Sequence, residues 1–140
     1  MTTIPFGPQL IGRTEKALNA LLNRELSGTG LTEPQWVVLT LTVLSKGEPG
    51  LPARIAEALR VPEPDAHDHL AALTAAGLVE AGSTGATPTA YGLDVWNSVR
   101  AATVRITDSL WSDLPESDRT AAAHVLNTVL ARAGAALAAA

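Results

Sequence analysis

The sequence predicts a mostly α fold, a winged helix-turn-helix with a minimal β wing set between long terminal helices. Three observations lead there. Apolar residues recur at helical spacing over most of the 140 residues. Gly and Pro gather between those runs rather than inside them. The stretch from Leu51 to Gly92 reads as helix, turn, helix, brief strand, small loop and the start of another helix.

Composition agrees. Apolar residues make up 46% of the chain, led by Ala and Leu, which rank highest in helix propensity. The length suits one domain. Ten Lys and Arg against fourteen Asp and Glu leave a net charge of −4, a bulk balance that works against nucleic-acid binding and leaves the decision to local charge. The absence of cysteine excludes disulfides, thiolate-ligated clusters and thiol redox chemistry by this chain's own residues. The opening MTTIPFGPQL lacks the basic run and apolar stretch of a secretory signal. No window of eighteen apolar residues occurs, so no transmembrane helix and no membrane partner are expected. A cytoplasmic protein is the expectation.

Taken in order, Pro5, Gly7 and Pro8 mark an irregular arm before a helix over about Gln9–Leu26, with Leu10, Leu18, Leu21 and Leu22 on its apolar stripe. Gly28 and Gly30 end it. Thr32-Glu-Pro-Gln35 is a helix start with a capping box, and the helix runs through Trp36, Val37, Leu39, Val43 and Leu44. Apolar on most of its circumference, it belongs at the centre. Pro52–Leu59 is a short helix burying Ile55, Ala56 and Leu59, and Val61-Pro62 breaks the chain. From Glu63 to Ala76 a further helix turns Ala66, Leu70 and Leu73 inward and Asp65, Asp68, His69 and Ala72 outward, with Gly77 as its C-terminal glycine. Leu78-Val79-Glu80 is one brief strand and Ala81–Ala86 a hairpin tip. Thr87-Pro88-Thr89 leads into a helix over about Ala90–Trp111, marked by Leu93, Trp96, Val99, Ile106 and Leu110. After Pro115, a last helix over about Asp118–Ala138 uses Val125, Leu126, Val129, Leu130 and Leu137.

The first, fifth and sixth helices carry more apolar stripe than the central module covers, which points to a second copy, a homodimer, with an intramolecular three-helix bundle as the alternative.

Four stretches carry a resemblance: Leu31-Thr-Glu-Pro-Gln-Trp-Val-Val-Leu39, Leu51–Leu59 with Ile55-Ala56, His69-Leu-Ala-Ala-Leu73 followed by Ala76-Gly-Leu-Val79, and Thr89-Ala-Tyr-Gly92. On them the chain resembles the MarR family of winged helix-turn-helix transcriptional regulators over essentially its whole length. That resemblance implies a homodimer paired through residues 1–30 and 108–140, a winged helix-turn-helix domain over 31–92 and a linking helix over 93–107. It implies double-stranded DNA as a partner, with Pro62–Leu73 in the major groove. Arg54 and Arg60 would contact phosphates, while Asp65, His67, Asp68 and His69 would face the bases; a carboxylate can accept from cytosine N4. It further implies a small aromatic effector in a cleft lined by the first helix, the helix of Trp36 and the start of the fifth. There Trp36 and Trp96 would line the pocket, and Arg13 or Lys16 would take an anionic group.

The chain also departs from that pattern. Glu80-Ala81 stands where the family carries an arginine, the tip Gly82–Ala86 holds no Asp-x-Arg pair, and the span from Val79 to Thr89 is short. Pro88 replaces a leucine and removes a donor that a hairpin uses. From Leu51 to Gly92, Arg54 and Arg60 oppose Glu57, Glu63, Asp65, Asp68 and Glu80. The alternative is a diverged member that no longer binds DNA and instead binds, or acts as an enzyme on, a small molecule in the inter-lobe cleft. No residue stands out as a nucleophile, so no catalytic residue is assigned. Asp65 and His69, four apart, share a helical face, but two ligands do not make a site. No metal and no cofactor are expected.

Overall fold

Caps and prolines decide where the helices begin. In the computed structural model, which describes residues 3–139, α1 spans Pro8–Leu26, α2 Glu33–Ser45, α3 Leu51–Leu59 and α4 Glu63–Ala75. Strands β1 (Val79–Glu80) and β2 (Thr87–Pro88) follow, then α5 (Ala90–Trp111) and α6 (Glu116–Ala138). Proline occupies the first turn of each of the first four helices, where its missing N–H costs nothing. At α2 the capping box is complete: Gln35 N–H donates to Thr32 Oγ1 at 3.3 Å and Thr32 N–H to Gln35 Oε1 at 3.1 Å. Three helices start slightly earlier than the apolar spacing suggests, at Pro8, Leu51 and Glu116. The shift at α3 matters, because Leu51 is buried and joins the core.

The first compact unit is Met1–Thr103. Its core gathers Leu26 of α1, Val38 and Leu39 of α2, Leu51 and Ile55 of α3, Ala66 and Leu73 of α4, Leu78, Val79 and Val99. Helix α2 is the hub, since Trp36, Leu41 and Val43 pack against the same cluster from its other sides. Two polar side chains are buried with it, and each is satisfied within the helix: Thr42 Oγ1 donates to the Val38 carbonyl and Ser45 Oγ to that of Thr42.

Helix α4 ends as its sequence predicts. Gly77 takes the left-handed conformation, φ 78°, while Leu78 N–H reaches the Leu73 carbonyl and Gly77 N–H that of Thr74. Leu73 and Leu78 are both buried, the apolar contact that accompanies this motif.

The wing is a two-stranded antiparallel sheet of two residues per strand, with Val79 opposite Pro88 and Glu80 opposite Thr87. The donor loss expected at Pro88 does not arise. Thr89 N–H donates to the Leu78 carbonyl at 3.0 Å, so the alternation of the ladder turns the nitrogen of Pro88 away from β1. Thr89 then caps α5, its Oγ1 accepting from Gly92 N–H at 3.0 Å and donating to the Gly77 carbonyl at 2.6 Å. Gly92 lets the first turn of α5 lie on β1: a Cβ there would stand 1.9 Å from the Leu78 carbonyl oxygen.

The second compact unit is Val104–Ala140, comprising the end of α5 and α6. No described residue of α6 is buried. Its larger apolar side chains, Val125, Leu126, Val129, Leu130 and Leu137, are all exposed and lie on one stripe. By length and composition α6 is long and apolar enough to cross a membrane, which the sequence reading did not anticipate. Much of that apolarity is alanine, and Asn127 and Arg132 lie within the helix.

Candidate functional site

Two places in the first unit hold the residues that the sequence singles out. The first is the outer surface of α4 with the wing beside it. Ala66 and Leu73 anchor the helix to the core, and that anchoring turns Glu63, Asp65, His67 and Asp68 to solvent, with His69 half-buried. Glu63 Oε1 and His67 Nε2 stand 3.8 Å apart, the one contact between a carboxylate and a basic side chain among the described residues. Asp65 and His69, which share a helical face by their spacing, make no such contact among the described residues; Glu63 and His67, also four apart, do. No group of three metal-ligating side chains occurs among the described residues.

Arg54 is exposed on α3, and Arg60 is exposed at its C-terminus. Among the described residues Arg60 is one of two non-glycine residues in the left-handed region, φ 56°; the other is Lys46, φ 53°, at the C-terminus of α2. Both are cations at the negative end of a helix dipole, which favours them there. Sequence reasoning passed over Lys46. The wing tip lies on the turn that follows it: Thr84 Oγ1 donates to the Gly47 carbonyl at 2.7 Å, and a Cβ on Gly85 would come within 2.6 Å of the Glu48 carbonyl oxygen. The wing is therefore short and held against the α2–α3 turn, with no charge at its tip and Lys46 as a neighbouring cation.

The second place is an aromatic pair. Trp36 of α2 and Trp96 of α5 are half-buried and stacked, ring centroids 6.4 Å apart and planes inclined by 21°. Trp96 Nε1 donates to Thr40 Oγ1 at 3.0 Å, one turn beyond Trp36 on the same helix, which fixes the orientation of the indole. The Arg100 guanidinium lies over the Trp96 ring, its Cζ 5.4 Å from the centroid. Arg100 has no carboxylate partner among the described residues, so its donors are open to an anion. The structure thus joins two of the four ligand-binding candidates and adds Arg100, whose i+4 spacing from Trp96 was the available signal. Arg13 and Lys16 are exposed on α1 and enter no ion pair among the described residues.

No protein-family model matches the chain, and no curated protein does. Solved structures do. CouR from Rhodococcus jostii RHA1, bound to p-coumaroyl-CoA, superposes with a TM-score of 0.75 at 16% identity, covering 86% of this chain and 89% of CouR. The reduced form of MarR from E. coli gives 0.67 at 23% identity, over 92% of this chain and 96% of that one. The chain has the MarR-family fold. Within that family fold, the Mycobacterium tuberculosis MarR family protein Rv2887 in complex with p-aminosalicylic acid gives 0.66 at 25% identity, over 90% of this chain and 98% of Rv2887. The MarR likeness thus takes in the winged module and the long helices together.

Proposed function

We propose that this chain is a cytoplasmic MarR-type transcriptional regulator, a homodimer that binds double-stranded DNA through α4 and responds to a small aromatic effector at Trp36 and Trp96. The observation that carries the proposal is the position of α4. It is seated on the core by Ala66 and Leu73, capped by Gly77, and presents a free outer surface in the place of a recognition helix. Likeness to regulators along nine-tenths of the chain supports the same reading. Pairing through α1 and α6 would cover the exposed stripe of α6.

The effector reading rests on the tryptophan pair. Trp36 offers a partly open aromatic surface, Trp96 is oriented by Thr40, and Arg100 supplies guanidinium donors beside them. CouR and Rv2887 each hold an aromatic acid or its thioester, which is consistent with such a platform. Titrating the protein with p-coumarate or salicylate should change its tryptophan emission, and Trp36→Ala should weaken the binding by about tenfold, the scale of one lost aromatic contact. Equal affinity in the variant would remove Trp36 from the site.

The regulator reading is tested by DNA binding. The purified protein should retard a palindromic fragment from its own upstream region at about 50 mM salt, above its retardation of unrelated duplex. No excess over the unrelated duplex would sink it. One observation favours a second reading, a diverged member that keeps the small-molecule site without DNA: the exposed surface of α4 and the wing carries carboxylates and no Lys or Arg.

A further inference from the structure

We propose that Lys46, at the end of α2, supplies to the DNA backbone the positive charge that the wing lacks, acting with Arg60 from two strained helix ends. The inference rests on the DNA-binding reading above and names its phosphate contacts. Between Leu31 and Gly92 the Lys and Arg residues are Lys46, Arg54 and Arg60 alone, and neither α4 nor the span from Val79 to Thr89 holds one. Phosphate contact by this module therefore falls to those three side chains.

Two of the three hold an uncommon backbone. Lys46 and Arg60 have φ 53° and 56°, and every other positive φ among the described residues belongs to glycine, at Gly28, Gly30, Gly47, Gly50 and Gly77. A Cβ is strained in that conformation and glycine is not. The helix dipole does not account for the choice. It favours a cation anywhere in the last turn, where ordinary helical backbone would serve, yet the last turns of α2 and α3 hold none and the cations sit on the caps. Glycine would hold either cap with less strain, so the reason for these residues lies in their side chains.

Those side chains are exposed and enter no ion pair among the described residues. Arg60 stands two residues before Pro62, the N-cap of α4. Lys46 begins the turn on which the wing tip rests: Thr84 Oγ1 donates to the Gly47 carbonyl at 2.7 Å, and a Cβ on Gly85 would stand 2.9 Å from that same oxygen. One free cation thus lies at the entrance to α4 and the other beside the wing tip, where an uncharged wing has nothing of its own to offer a phosphate.

The test reads the anisotropy of a fluorescein-labelled duplex of unrelated sequence, about 30 base pairs long, as salt is raised from about 50 mM, since phosphate contact is independent of sequence. Lys46→Gly and Arg60→Gly should each weaken binding roughly tenfold at the lowest salt and lower the slope of log affinity against log salt by about one. Both should melt no lower than the wild type, because glycine takes the left-handed conformation freely. Lys46→Asn, which also tolerates that backbone, should lose what Lys46→Gly loses, and Lys46→Arg should keep the wild-type slope. Unchanged affinity and slope in Lys46→Gly would overturn the proposal while leaving DNA binding intact. A clearly lower melting temperature in that variant would overturn it as well, assigning the lysine to helix stability. Absence of wild-type binding, to this duplex and to the upstream fragment alike, would overturn the DNA-binding reading and the proposal with it.

Discussion

Gly92→Ala is expected to destabilise the first unit by about 3 kcal/mol or more, the upper end of overpacking costs. For a chain of this size that lowers the melting temperature by about 10 °C. The added methyl would stand 1.9 Å from the Leu78 carbonyl oxygen and 2.8 Å from its carbon. Both are backbone atoms, held by the Thr89 N–H on one side and by the end of α4 on the other. No side-chain rotation relieves the clash, so β1 and the first turn of α5 must part. Gly77→Ala is the control. Its Cβ meets nothing within 4 Å, and only the left-handed backbone, φ 78°, is penalised, at about 1 kcal/mol. Thermal unfolding followed by circular dichroism separates the two. A Gly92 variant that melts no lower than the Gly77 variant would refute the close approach as the reason for glycine there.

The second large effect is expected at α6. Leu126→Glu combined with Leu130→Glu should convert the proposed dimer into a monomer, weakening association at least a hundredfold, because two carboxylates would have to be buried without partners. The exposed stripe of α6 is the basis: Leu126 is 47% and Leu130 61% accessible, and no described residue of the helix is buried. In sedimentation equilibrium the wild type should weigh twice 14.5 kDa and the variant 14.5 kDa. Circular dichroism should show an unchanged helical spectrum in the first unit's melting transition. A wild type that sediments as a monomer, or a variant that remains dimeric, would mean that this stripe is not the dimer contact.

Much of the outer surface of α4 was legible in the sequence because a helix places residues by its period alone. Once Ala66, Leu70 and Leu73 were assigned inward, Asp65 and Asp68 had to point outward, and they do. The contact among those outer groups was not legible: spacing allows both Glu63–His67 and Asp65–His69, and only the first is seen. The aromatic site was legible only in part. Trp36 and Trp96 were singled out as types that line clefts, whereas Arg100 gained meaning only once its guanidinium was seen over an indole. Lys46 was passed over because a lysine in a turn has no signature, and its left-handed backbone shows only in three dimensions.

By itself the sequence determined what is encoded within a few residues. The capping box at Thr32, the prolines in the first turns, the glycine after α4 and the apolar period of each helix depend on neighbours one turn away, so their physics is complete in a short window. Only the tertiary structure decided what depends on distant segments meeting. Trp96 reaches Thr40 across 56 positions, and Thr84 reaches Gly47 across 37. Such contacts depend on how the helices pack around α2, and packing is a property of the assembled core. That is why a wing expected to be merely short is also seen to be tied to the α2–α3 turn, and why two tryptophans chosen by type are seen to form one stack.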